Sequence, residues 1–237
     1  MVGREFYLFR RCMKEIKFAT QIEYASAPKS AIKYLPDWYK KTMPYAVEKK
    51  IIKNSEKTFK HCIPFMEGFT IGYIAELWAD IQVENDNGVR IHHESSEIPF
   101  GMKSLSSSGL MKPPPGYDEQ IWSYHHDLYI KTPPGYSILV THPFNRYDLP
   151  FLALTGVVDS DTEPFFPGAY PMYLKTGFEG IIESGTPMLQ IIPFKRDSWK
   201  SVNDESIIKP GRIANSKAIN SIRHWYKKNA WVSKKYE

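Results

Sequence analysis

Residues 155–194 read TGVVDSDTEPFFPGAYPMYLKTGFEGIIESGTPMLQIIPF, and this stretch decides the fold. Gly156, Val157 and Val158 make a β-branched approach to Asp159, Ser160 and Asp161, a trio suited to a tight turn. Gly185, Thr186 and Pro187 form a second turn, and Gln190 then enters the apolar strand 190–194. Apolar runs bounded by Gly, Pro and Asp are strand signals, so the stretch reads as β-rich.

Working outward, YSILVT at 136–141 is a strong strand former, opened by the Thr132-Pro133-Pro134-Gly135 turn and ended by His142-Pro143. Residues 152–158 read as the strand that enters the aspartate turn. Further strands are expected over 122–130 and in the second half of 60–84, where Ile74, Leu77, Ala79, Ile81 and Val83 dominate. Asp86-Asn87-Gly88 is a hairpin signal, because Asn and Gly tolerate positive φ. Residues 92–120 are rich in Ser, Pro and Gly without period and read as a long surface excursion. Residues 5–22 read as one or two strands or an extended arm. A short helix is expected at 36–45, opened by Pro36 and Asp37. After a polar linker at 200–210, a helix is expected over 216–228, with Ala218, Ile219, Ile222, Trp225 and Tyr226 on one face.

The net charge of +5 conceals a pattern: residues 1–60 carry +8, residues 61–194 carry −10, and residues 195–237 carry +7. The chain thus divides into a basic N-terminal arm (1–60), an acidic β-rich core (61–194), and a basic linker and C-terminal helix (195–237). Basic ends suit an acidic protein surface or nucleic acid, and protein is favoured because no base-reading module is present. No apolar run reaches membrane-spanning length, and the N-terminus lacks the apolar region of a secretory signal. Cys12 and Cys62 make no disulfide framework.

The order of GVVDSD, then the Gly185 turn, then Gln190 resembles the deoxyuridine triphosphatase and dCTP deaminase superfamily. The resemblance implies a mainly β fold with a β-clip core over about residues 73–194, a trimer-prone scaffold, and a nucleotide site. In that family the hairpin aspartate orients the attacking water. Asp159 stands in its place and Asp161 matches the second hairpin aspartate. Arg146 and Gln190 complete the nucleotide-binding candidates, and Mg2+ would enter with hydrolysis. The chain departs from the pattern elsewhere. Thr162, Glu163 and Pro164 replace the aromatic residue and the Arg-Gly pair, THPFNRYDLPF lacks the phosphate-binding serines, and Pro187 replaces an arginine. A basic aromatic segment stands where the glycine-rich flap would close. Over nearly its full length, through IKTPPGYSILVTHPFNRYDLPF, EGIIESGTP, IPFKRDSW and YKKNAW, the chain also resembles a family seen in tailed phages and some bacteria. That implies an origin in a virion or the host cytoplasm.

Two further readings come from residue types. His92, His93, His125, His126 and His142 lie in the β-rich half, and His92, His126 or His142 with a carboxylate could build a metal-dependent oxygenase site. The spacing matches no metal motif. The favoured reading is a non-catalytic structural or assembly protein that forms homo-oligomers, and the tailed-phage resemblance implies that its other contacts are virion proteins. Its arms would anchor Trp38, Tyr39, Trp225, Tyr226 and Trp231 against the acidic core of the same chain or a neighbour.

Overall fold

Four open antiparallel sheets carry the chain in the computed structural model, which describes residues 13–21, 23, 25–45, 58–84, 90–92, 102–104, 112–126, 128–163, 169–219 and 225–237. The largest sheet joins β2 (Lys29–Ser30), β3 (Tyr73–Glu76), β9 (Tyr136–Thr141), β11 (Gly156–Asp159) and β14 (Pro187–Lys195) in the order β11-β9-β14-β3-β2. The second joins β6 (Met102–Ser104), β7 (Tyr117–His125), β10 (Phe151–Ala153) and β12 (Ala169–Lys175) in the order β10-β12-β7-β6. A third holds β4 (Ile81–Glu84) between β5 (Arg90–His92) and β13 (Gly180–Ile182). The fourth pairs β1 (Lys17–Thr20) with β8 (Leu128–Lys131).

Strand β14 is the centre. Its first six residues, Pro187 to Ile192, are all buried, because neighbours flank both of its edges and both of its faces are covered. Ile138, Val140, Met188, Leu189 and Ile191 of the large sheet share one core with Trp122, Tyr124, Phe151, Met172 and Leu174 of the second. Two sheets that bury their apolar faces against each other satisfy the alternation of each strand at once.

The result is a mixed α/β fold with several antiparallel sheets and short helices near both ends. The sheets remain open at their edges: no closed β-clip or barrel forms among the described residues. Three expected strand runs are each divided between sheets, that over 122–130 into β7 and β8. The run 152–158 becomes β10 and β11, with Leu154 and Thr155 as the crossing. There the Leu154 N–H donates to the Pro171 carbonyl at 2.8 Å, while the Thr155 hydroxyl meets that of Thr141 at 2.8 Å. The run after residue 73 likewise becomes β3 and β4. Between them the Trp78 N–H donates to the buried Tyr124 hydroxyl at 3.0 Å. The excursion expected at 92–120 contains β6 and the start of β7; residues 93–101 and 105–111 lie outside the described residues. The hairpin signal at 86–88 also lies outside them, between the paired strands β4 and β5.

Helix α1 (Asp37–Lys41) forms where Pro36 presets the entry, and α2 (Ile63–Thr70) follows Cys62 with a proline in its first turn. The C-terminal helix starts earlier than expected. A 310 turn at Glu205–Ile207 runs into α3 (Ile208–Ile219), and α4 (Trp225–Asn229) follows. Asp204 caps the start by accepting from the Ser206 N–H at 2.9 Å. Pro210 sits within the first turn of α3, where backbone N–H groups lack helical acceptors. No helix among the described residues is long and apolar enough to cross a membrane.

Candidate functional site

The aspartate hairpin closes on its neighbours through consecutive residues. The turn at 132–135 places Gly135 at φ 80°, a conformation glycine adopts without a side-chain penalty. Against it, Asp159 Oδ1 accepts from the Ser137 hydroxyl at 2.5 Å. The buried Ser160 hydroxyl meets that of Thr132 at 2.9 Å, and the Ser160 carbonyl accepts from the Thr132 N–H at 3.0 Å. Asp161 Oδ2 accepts from the Gly135 N–H at 2.8 Å. Arg196, one residue past β14, completes the brace. Its guanidinium forks onto Asp161, with Nη1 at 2.9 Å from Oδ1 and Nη2 on Oδ2, and Nη1 lies 3.4 Å from Asp159. The Arg196 N–H also donates to the Gly135 carbonyl at 2.9 Å.

This arrangement holds carboxylates rather than freeing them. The Arg196 guanidinium, aided by the Gly135 N–H, holds the Asp161 carboxyl well below the usual carboxylate range. Asp159 keeps an exposed side chain, but its hydroxyl partner comes from β9 and its guanidinium partner from the residue that follows β14. In the unfolded chain an aspartate titrates near pH ~3.9. The Asp161 brace therefore contributes fully above that pH and is lost as the pH falls through the lower folded-state value. Asp161→Asn is expected to lower stability at pH 7 and to flatten the further loss below pH ~4 that the parent chain shows. Urea denaturation at pH 7 and in the acid range checks this; equal acid sensitivity in the two proteins would refute the brace.

The other nucleotide candidates lie at the opposite end of the same sheet. Ser137, the partner of Asp159, pairs with Phe194, whereas Gln190 pairs with Thr141. Four residues of strand separate the two levels, about 13 Å. Gln190 is fully buried. Its Oε1 accepts from the Phe144 N–H at 2.8 Å, and its Nε2 donates to the carbonyls of Gly68 and Ile71 at 3.0 and 2.6 Å. Arg146 forks onto Asp148, with Nε at 2.9 Å from Oδ1 and Nη2 at 2.8 Å from Oδ2. Burial opposes ionisation of Asp148, yet the Arg146 hydrogen bonds and charge hold its pKa down. Asp159 and Asp161 thus sit together, Arg146 and Gln190 sit near the far end, and the two pairs do not converge.

The histidines divide similarly. His142 Nδ1 accepts from the Ala153 N–H at 3.3 Å, which leaves Nε2–H to donate to the Arg146 carbonyl at 3.1 Å. This neutral tautomer ties β10 to the loop after β9, and burial lowers its pKa. His126 is buried with its ring edge-on to Tyr124 at 6.0 Å. His92 lies in β5 of the third sheet. No group of three or more His, Cys, Asp or Glu side chains that could hold a metal ion occurs among the described residues.

Of the aromatic anchors, Tyr39 is buried against Phe69 at 4.9 Å between ring centroids, with the Lys60 ammonium 4.3 Å from its own ring. Trp38 packs edge-on to Phe69 at 5.7 Å with half its surface exposed. At the other end, Trp225 and Trp231 are half-buried and Tyr226 is exposed. The chain end is tied down on the core: Lys234 pairs with Glu67 at 2.6 Å, and Tyr236 meets Tyr73 edge-on at 5.7 Å. Sequence reasoning gave no role to Ser137 or Arg196 and placed Thr132 only in a turn. The clue was the sign change from DSD to KR on strands that come into register.

No family model matches the chain, and no curated protein matches it in sequence.

Proposed function

We propose that the chain is a non-catalytic assembly subunit that joins copies of itself through its C-terminal arm. Such a subunit would work in a virion or, before assembly, in the host cytoplasm, the setting that the resemblance to a tailed-phage family implies. Its scaffold is an opened, degenerate relative of the β-clip, in which the hairpin carboxylates brace strands instead of handling water.

The exposed apolar surface of the arm carries this reading. Trp199 is 90% exposed, Val202 70% and Ile207 68%, and Ile208 and Ile213 of α3 are exposed as well. Isolated helices shorter than about 12–15 residues are marginal in water, and most helical stability in proteins comes from packing. Helix α3 contains Gly211, and among its described side chains only Ala214 is even half-buried. A partner surface supplies the missing contact. The arm is anchored at both ends, by Arg196 on Asp161 and by Lys234 on Glu67, so it is presented as a loop from a fixed base.

Deleting the chain end would also remove the Tyr236 and Lys234 anchors, so point substitutions make the cleaner test. The parent protein is expected to run as a defined oligomer by light scattering. Trp199→Asp combined with Ile207→Asp is expected to give monomers with unchanged far-UV circular dichroism. Neither protein should release pyrophosphate from dUTP or dCTP with Mg2+. A monomeric parent, or turnover that Asp159→Asn abolishes, would overturn the proposal and favour the nucleotide hydrolase.

A further inference from the structure

The arm carries a charge and shape pattern that has a counterpart elsewhere on the molecule. Lys209, Ile213 and Lys217 stand at i, i+4 and i+8 of α3 and form one stripe. Successive members are about 6 Å apart, so the lysines flank the isoleucine over about 12 Å. Pro210, Ala214 and Trp225 join them to line an apolar groove between α3 and α4. All three stripe residues are exposed.

The reverse pattern lies around β13. Glu179 and Glu183 flank β13 directly, with Ile181 between them. Ile181 is 59% exposed, an unusual state for isoleucine in a strand, and both glutamates are exposed. Among the described residues β13 is also the edge of its sheet, paired only with β4.

We infer that the α3–α4 groove of one copy receives the β13 edge of a second copy. Ile181 enters against Ile213 and Trp225, and Glu179 and Glu183 meet the two lysines at the rim. This rests on the assembly reading above and names the surface the arm would occupy. Three observations select a second copy as occupant. The two segments match in order, each holding an isoleucine between two like charges. Their charges are opposite, as are those of the segments that carry them, +7 for residues 195–237 and −10 for residues 61–194. Both isoleucines are exposed within one chain, so the arm is not docked on its own β13. A contact between two different patches closes into a ring or a reciprocal dimer, or propagates as a filament, according to the rotation between copies.

The test is a charge-exchange cycle on the full-length chain, read by analytical ultracentrifugation. Lys209→Glu with Lys217→Glu is expected to weaken self-association roughly tenfold, and Glu179→Lys with Glu183→Lys to do the same. A chain that carries all four reversals is expected to return to within about threefold of the parent, since each reversed rim group meets a reversed partner. Far-UV circular dichroism checks that each variant folds; Gln at the same four positions replaces any reversal that does not. If the β13 reversals leave association unchanged while Trp199→Asp with Ile207→Asp abolishes it, this inference fails and the assembly reading stands. If the parent is monomeric, both fail. If the lysine reversals change only salt-dependent binding to a DNA oligonucleotide, the groove serves nucleic acid and the inference is overturned.

Discussion

Gly72→Ala is expected to destabilise the protein by about 3–5 kcal/mol, a large share of the roughly 5–15 kcal/mol that holds a domain folded. Gly72 joins α2 to β3 at φ 75°, where an L side chain is strained. A Cβ there would lie 2.2 Å from the Ile191 carbonyl oxygen and 3.0 Å from Ile192 Cγ1. The first of these is main chain of the central strand, so it cannot swing aside. The Gly72 carbonyl meanwhile accepts from the Ala31 N–H at 3.0 Å, which pins the segment from its other side. Two comparisons separate the contributions. Gly135 shares the positive φ but has open space around its Cβ position, so Gly135→Ala should cost only about 1 kcal/mol. Gly156 has neither constraint, and Gly156→Ala should be near neutral. Urea midpoints for the three variants check the order. A Gly72→Ala protein as stable as Gly135→Ala would mean that α2 and β14 can move apart, and the packing described for the core would be wrong.

The clash at Gly72 also shows where the sequence stopped being legible. YSILVT was readable as β9 because its β-branched and apolar residues are bounded by Pro-Gly and His-Pro, and β14 was readable from its continuous apolar run. Helix α1 was readable from Pro36 and Asp37. These are local signals. The changes of sheet at 154–155 and 77–80 were not readable, because apolar residues continue through both and only the packing of two sheets says where the chain must cross. The start of α3 was missed for a different reason. The cap at Asp204 is present in the sequence, but the polar run that ends at Pro210 read as linker. At the candidate site, the hairpin residues Asp159 and Asp161 were found, while their purpose depended on register. Gly135, Ser137 and Arg196 come from two other places in the chain, and only the pairing of β11, β9 and β14 brings them together.

Gln190→Leu is expected to cost a further large amount, about 3–5 kcal/mol, and this variant also separates the two accounts of the molecule. Leucine has nearly the same volume, so the loss reports hydrogen bonds rather than a cavity. The Phe144 N–H would lose its buried acceptor, and the carbonyls of Gly68 and Ile71 at the end of α2 would lose the amide that now bridges them. Each such loss costs about 1–3 kcal/mol when water cannot replace the partner. Gln190→Glu tests the direction of the bonds. A carboxylate would face two carbonyl oxygens, so the variant should be less stable at pH 7 than at pH 5, where a protonated carboxyl can still donate one hydrogen bond. If Gln190 instead served a nucleotide, its replacement would leave stability nearly unchanged and remove binding. Thermal melts of the parent, Gln190→Leu and Gln190→Glu, with and without dUTP, distinguish these outcomes. The bracing role predicts melting temperatures that fall with each substitution and do not respond to dUTP; the ligand role predicts a nucleotide-dependent rise in the parent that both variants lose.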